Sequence, residues 1–212
     1  RTISKPFEEK GFAVTDVYYG ILNSDQFYPE EKPVDDGKIR FGMLGDLDSH
    51  WKGSDVAIEA FLKLPPELAE KAELHLAAFN HNPPEIEDPR IVIHQWIDRD
   101  RVGDYLRNLD IMLTLSRDLG CMMETFCQTM VQGMLCGLPQ ISTPLEIFTE
   151  KLDTGGGIVA HNTDEVVKAM IELANNPEER SRKGEIAART AREHYVWNSE
   201  YFLGKYFGES AS

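Results

Sequence analysis

From Lys38 onward, short apolar runs alternate with longer stretches in which apolar residues return every three or four positions. The short runs, Ile39–Leu44, Glu73–Phe79, Ile91–His94, Asp110–Leu115, Gln140–Ser142 and Gly157–Ala160, predict strands. The helical period predicts helices over Ser54–Leu64, Asp98–Leu109, Phe126–Cys136, Thr163–Asn175 and Pro177–His194. Start and stop residues agree: Ser54 as a cap, Pro65-Pro66 as a stop, Thr163 and the pair Asn176-Pro177 as starts. Strands and helices alternating at this spacing imply an α/β fold, a doubly wound parallel sheet with helices on both faces. In such sheets ligands bind at the carboxyl ends of the strands, on loops that lead into helices. The unusual residues fall on two such loops: "GDLDSHWKGSD" after the first strand and "SRDLGCMMETF" after the fourth.

The flanks read differently. Residues 1–37, with "VTDVYYGILNSDQFYPEEKPVDDG", carry one short strand and then turn and proline signals, as expected of a lead-in segment and linker remnant. Residues 38–194 form the Rossmann-like body. Residues 195–212, with "YVWNSEYFLGKYFG", predict an aromatic helix and tail that packs either on its own domain or on a neighbouring one. A chain that begins at Arg1 is expected to be a piece of a longer polypeptide.

Composition narrows the classes. The chain has 212 residues, 42% of them hydrophobic, and a net charge of −14. Binding nucleic acid requires clustered Lys and Arg, so this balance speaks against a DNA or RNA partner. Cys121, Cys127 and Cys136 match no zinc spacing and read as reduced thiols of a cytoplasmic protein. No signal peptide or membrane-spanning run is visible.

The two loops suggest phosphate and sugar chemistry. In "HWKGSD", Gly53 lets the backbone approach a ligand, the following helix start offers free N–H groups, and Lys52 supplies charge. A surface lysine beside a turn glycine is the plainer alternative. In "METFCQTMVQGMLCGLPQIST", Glu124 precedes the predicted helix and faces the same crevice. The amides of Phe126, Cys127 and Gln128 would lack intrahelical partners there and would cradle an anion. A carboxylate beside them repels that anion unless it bonds something else, and sugar hydroxyls are natural donors to it. Gln132 lies further along the same helix and either meets hydroxyls or is an exposed glutamine. Phosphate-binding amides, a lysine, an acid and an amide together suit a nucleotide sugar.

Here the chain resembles the C-terminal, donor-binding domain of a family 4 glycosyltransferase with the GT-B fold. "VYYGILNSDQFYP" is similar to the family's "v.nGid...F.P". "FGMLGDLDSHWKGSDVAIEAF" is similar to "vGRl...KGvd.li.A". "IMLTLS" and "ETFCQTMVQGMLCGLPQIST" are similar to "l.PS..EgfGl..lEAma.G.Pvvat". "TGGGIVAHNTDEVVKAMIELANNPE" and "HYVWNSEYF" resemble the C-terminal helices. The resemblance implies that Glu124 takes the first position of the E-x7-E motif and contacts the donor sugar. Gln132 takes the second, where an acid usually binds the ribose. Lys52 takes the diphosphate lysine, Gly45 the first-loop glycine and Ser116 the motif serine. It further implies a retaining, metal-independent transferase that uses an NDP-sugar, works in polysaccharide biosynthesis and takes its acceptor from an N-terminal domain largely missing here. By itself this fragment would then be inactive. Members are cytosolic, and the full-length protein is expected at the inner membrane face. Base contacts are expected near Trp96 and Ile97.

Departures from the pattern keep a second reading open. Asp46 stands where the family has Arg, Gln132 replaces an acid, and Thr125 and Cys127 replace glycines at the helix start. Asp48 adds a further acid, so Arg117 or His50 would have to supply positive charge. The rival is a degenerate glycosyltransferase-like domain that binds but does not transfer. "DLD", Asp46 to Asp48, also mimics the metal-binding D-x-D of the other large glycosyltransferase fold, which holds Mn or Mg. A dinucleotide oxidoreductase lacks its G-x-G-x-x-G after the first strand.

Overall fold

The computed structural model describes residues 4–14, 20–30, 36–80, 83–120 and 124–207. The short helix α1 (Lys5–Glu8) buries none of its residues, and the short α3 (Pro66–Ala69) buries Leu68 in the core. The body is a six-stranded parallel sheet of β1 (Ile39–Leu44), β2 (Ala72–Ala77), β3 (Ile91–His94), β4 (Ile111–Thr114), β5 (Gln140–Ser142) and β6 (Gly157–Val159). The strand order is β3-β2-β1-β4-β5-β6, the doubly wound arrangement expected of the alternating pattern.

Strand alternation divides the core. On β4, Ile111 and Leu113 enter one apolar cluster and Met112 the other, which is why the whole strand reads as continuously apolar. The first cluster receives Ala57, Ala60 and Phe61 of α2 (Ser54–Leu62) and Val166, Met170 and Leu173 of α7 (Thr163–Asn175). The second receives Met130, Val131 and Met134 of α5 (Gln128–Leu135), with Ala187 and Ala191 of α8 (Pro177–His194). Each fully buried Phe or Leu contributes roughly 1.5–3 kcal/mol, so the two clusters, not helix propensity, hold these helices down. Ile21 and Phe27 also enter the second cluster, and Ile21 bridges Val196, joining the chain before the sheet to the chain after α8. Part of the expected early strand, residues 15–19, lies outside the described residues.

Several boundaries differ from the sequence reading. The Asp98–Leu109 helix is a 3-10 turn, Arg99–Arg101, followed by the short α4 (Val102–Arg107). Gly53, in the left-handed region at φ 80°, precedes α2, so Ser54 is its first residue and not its cap. Pro66 opens α3 after α2 has ended. Asn162 and not Thr163 caps α7, its Oδ1 accepting from the Glu165 amide at 2.9 Å. Asn176 caps α8 through the Glu179 amide at 3.0 Å, with Pro177 at the first position. An unforeseen helix, α6 (Glu146–Leu152), buries Ile147, Phe148, Lys151 and Leu152. A lysine inside its apolar stripe, after Pro144, disguises the helical period. The aromatic tail is helical as expected, α9 (Ser199–Phe207), and buries none of its residues.

α8 packs through a glycine on the turn that follows α5. A Cβ on Gly184 would lie 2.1 Å from the carbonyl oxygen of Gly137, a backbone atom that cannot step aside. Gly184→Ala is therefore expected to lower unfolding free energy by about 1–3 kcal/mol, the usual cost of overpacking, seen as a lower urea midpoint with an unchanged slope.

Candidate functional site

The strand leaving β1 feeds α2 on one face of the sheet, and the strand leaving β4 feeds α5 on the other. Between their carboxyl ends, where the strand order reverses, the two connections come together. One side of this junction is the loop Gly45–Gly53. Buried Leu47 anchors that loop in the first cluster, and Ser54 Oγ donates to the Leu47 carbonyl at 3.2 Å. Gly53 is needed twice over: its φ is 80°, and a Cβ there would sit 2.3 Å from the Leu115 carbonyl. That close approach, with the Arg117 amide donating to the Trp51 carbonyl at 2.7 Å, presses the two loops together.

Lys52 crosses this junction. Its ammonium lies 2.5 Å from Glu124 Oε1 and 4.2 Å above the Trp51 ring. Ser116 Oγ donates to the same carboxylate oxygen at 3.1 Å. Gly45 lines the lysine stem, a Cβ there falling 3.7 Å from Lys52 Cε. Gly45, Lys52, Ser116 and Glu124 thus form one cluster. The ion pair is largely shielded from water, with side chains 15% and 8% exposed. Removing one partner of such a pair strands the other, at a cost of roughly 3–5 kcal/mol.

The start of α5 is set by Cys127. It takes the left-handed conformation, φ 56° and ψ 73°, and so cannot continue a right-handed helix. The helix therefore begins at Gln128, two residues later than expected, and the first-turn amides belong to Gln128, Thr129 and Met130. Phe126 and Cys127 precede it, which corrects their expected place inside the first turn. The resemblance puts a glycine at Cys127, and the positive φ explains why. Burial pushes the Cys127 thiol up, and the Met130 amide bonds to its sulfur. Cys127 and Cys136 are free and buried; Cys121 lies outside the described residues.

The family of glycosyl transferases group 1 matches residues 38–176. This chain belongs to that family. Solved structures share its fold at low identity. Sucrose-phosphate synthase (tll1590) from Thermosynechococcus elongatus superposes with a TM-score of 0.72 at 15% identity, over 88% of this chain and 50% of that one. WaaG, a glycosyltransferase involved in lipopolysaccharide biosynthesis, gives 0.69 at 17% identity, over 90% and 55%. Anabaena Alr3699/HepE in complex with UDP and glucose gives 0.67 at 16%, over 85% and 52%. The chain thus spans about half the length of these proteins. No curated protein matches it in sequence.

In this group 1 glycosyl transferase the remaining expected residues are more scattered. Gln132 lies one turn beyond Gln128 on the outer side of α5, half-buried, whereas Met130, Val131 and Met134 face the core. Asp46 Oδ2 accepts from Ser49 Oγ at 2.9 Å, and Asp48 Oδ2 from the Asn80 amide at 2.9 Å, so the two acids have separate partners. Arg117 is committed to Asp55 at 2.9 and 3.0 Å and to the His50 carbonyl; it staples loop to loop. His50 is exposed. Trp96, 67% exposed, and Ile97 line an open cavity of about 1140 Å³ that runs over His75, His94 and Tyr105. Gly45, Lys52, Ser116 and Glu124 do not line it. Its arginines are paired: Arg40 with Asp36 and Glu73, Arg101 with Asp104, and Arg107 with Asp104 and Glu30.

Sequence reasoning missed Lys151. It is 0% exposed, on α6, its ammonium 5.1 Å from the Phe126 ring centre and 4.9 Å from that of Tyr195. It donates to the Ile147 carbonyl at 3.3 Å. Burial pulls its pKa down to about 8, with Cys127, Glu150 and Glu124 opposing the fall. The lysine signal in the sequence was its place in an apolar stripe between Phe148 and Leu152.

A stability test follows from that burial. Below about pH 8 Lys151 is charged in both folded and unfolded chains, and the cost of burying the charge is fully present. As pH climbs from about 8 toward 10.5 the folded chain loses the proton first, and stability rises. At about 1.4 kcal/mol per pH unit the whole effect is on the order of 3 kcal/mol. Lys151→Met is expected to be the more stable chain at neutral pH in urea titrations, with its advantage shrinking toward the alkaline end.

Proposed function

We propose that this chain is the donor-binding domain of a family 4, retaining glycosyltransferase of the GT-B type, and that it binds an NDP-sugar in the Gly45–Glu124 crevice. The observation that carries this reading is the Lys52–Glu124 ion pair at the point where the strand order reverses. A diphosphate and a sugar hydroxyl are complementary to its two halves. The diphosphate draws Lys52 away from the carboxylate, and Glu124, released, accepts from the sugar. Ser116 keeps that carboxylate oriented throughout. The amides at the start of α5 face the developing negative charge of the leaving diphosphate, so stabilisation grows as the glycosidic bond breaks. The HepE structures, solved with UDP-glucose, UDP and UDP plus glucose, support a nucleotide-sugar ligand in this fold.

Residues 38–194 make up the donor domain in this reading, residues 1–37 the lead-in from an N-terminal domain that holds the acceptor, and residues 195–212 an aromatic tail. Lys52 and the helix start supply the positive end that a metal would provide, so no divalent ion is required. Polysaccharide biosynthesis in the cytoplasm, with the full-length protein resting peripherally on the inner membrane face, is the setting that fits. Among the described residues no helix is long and apolar enough to cross a membrane. The second reading, a binding-only domain, is favoured by one observation: Arg117, one of the two residues expected to bring positive charge to the first loop, is tied to Asp55.

Calorimetric titration with UDP, GDP and ADP is expected to show binding of at least one, undiminished by EDTA. Lys52→Ala should weaken it by roughly 1–3 kcal/mol, the range for a charge-assisted bond, in a chain whose circular dichroism remains native. If Gln132 meets the ribose, Gln132→Ala weakens binding and Gln132→Glu does not. In a binding-only domain that has lost this contact, both leave affinity where it was. Absence of binding by all three nucleotides at millimolar concentration would overturn the donor reading, and a requirement for Mn would replace it with the D-x-D one.

A further inference from the structure

The side chains around the crevice do not sum to a positive site. Lys52 is cancelled by Glu124, and Arg117 by Asp55, while Asp46 and Asp48 remain on the first loop. A dianionic diphosphate placed there meets a net negative wall. Loop amides offset this in part, but amides carry only partial charges.

One full positive charge stands directly behind that wall. Lys151 has no carboxylate within salt-bridge distance among the described residues, and water does not reach it. Its surroundings are the Phe126 ring from the loop between Glu124 and α5, the Tyr195 ring from the segment after α8, and the Ile147 carbonyl of its own helix. The charged and titratable groups that face it are the Cys127 thiol at the start of α5, Glu150 on α6 and Glu124 in the crevice. His194 meets the Tyr195 ring edge-on, 6.3 Å between ring centres. Phe126 and Tyr195 also touch each other, 6.3 Å between ring centres, so the lysine sits under a two-ring cover that separates it from solvent. Burial of this kind lowers stability, and a Met of similar length would fill the space without that cost. It also keeps the field strong, because no water lies between to screen it.

We propose that Lys151 is an electrostatic positioning residue of the donor site: from behind Phe126 its charge holds the diphosphate in the crevice and offsets Asp46 and Asp48 of the first loop. It touches neither phosphate nor sugar. It acts through space on the anion and, through Phe126, on the backbone that joins Glu124 to α5. This deepens the donor reading and rests on it.

The test uses the chain itself, whichever of UDP, GDP or ADP binds tightest, and the parent nucleoside as a phosphate-free probe. Lys151→Met is expected to weaken the diphosphate about five- to tenfold and to leave the nucleoside within about twofold, since only the former feels the charge. Lys151→Arg, which keeps the charge at every accessible pH, is expected to restore wild-type affinity. For the wild-type chain the diphosphate affinity should fall by the same factor as pH passes through about 8, while both variants stay flat. Equal loss of nucleoside and diphosphate in Lys151→Met would show a collapsed loop and overturn the proposal. So would a variant with wild-type affinity and the wild-type pH fall. If no nucleoside diphosphate binds the wild-type chain, the donor reading fails and this inference fails with it; if one binds and Lys151→Met changes nothing, only the inference fails.

Discussion

The contact between Lys52 and Glu124 depends on everything beneath it. Two loops that leave opposite faces of the sheet must converge to within a hydrogen bond, and each is bent to do so by one residue in the left-handed region. Gly53 turns the first loop onto the Leu115 carbonyl, where no side chain fits. Cys127 turns the second loop into α5 at φ 56°, a strain of roughly 1–2 kcal/mol for a residue with a Cβ. That strain is held in place by the second apolar cluster, in which Cys127 is itself buried beside Met130 and Val131. Packing energy gathered along α5 and α8 thus fixes a charge pair at the rim of the sheet.

The same arrangement explains why the crevice needs few charged residues. A buried ion pair is a poor source of stability, but it stores two opposite charges where water cannot neutralise them. In the proposed reading, a ligand that carries an anion beside hydroxyls exchanges partners with the pair and leaves neither charge stranded. The acidity of the rest of the chain, −14 overall, then acts as a background that the local cations must overcome. In the proposed site, Lys151 and the amides at the start of α5 supply that compensation.

Much of this was legible in the residue pattern. All six strands were visible because parallel strands buried on both faces read as short apolar runs, and the long helices α7 and α8 because their caps and stripes agree. The crevice followed from topology: alternating elements forced a parallel sheet, and a parallel sheet places its ligand loops after its strands. Lys52 and Glu124 could be singled out because their types suit a phosphate and a sugar, and Gly45 and Ser116 only because the resemblance implied them. What escaped depends on three-dimensional neighbours. The start of α5 moved because a cysteine adopted a glycine-like conformation, which propensity does not foresee. Arg117 looked like a free cation until Asp55 was found beside it. Lys151 was invisible because a lysine in sequence reads as surface, and only the rings of Phe126, 25 residues before it, and Tyr195, 44 residues after it, reveal it as core.

The central claim is that a nucleotide sugar enters by parting Lys52 from Glu124. A crystal structure of the chain with a nucleoside diphosphate bound tests it most directly. The account predicts Lys52 Nζ within about 3 Å of a phosphate oxygen, Glu124 no longer paired with it, and Ser116 still donating to the carboxylate. A nucleotide bound elsewhere, with the Lys52–Glu124 pair intact, would contradict it.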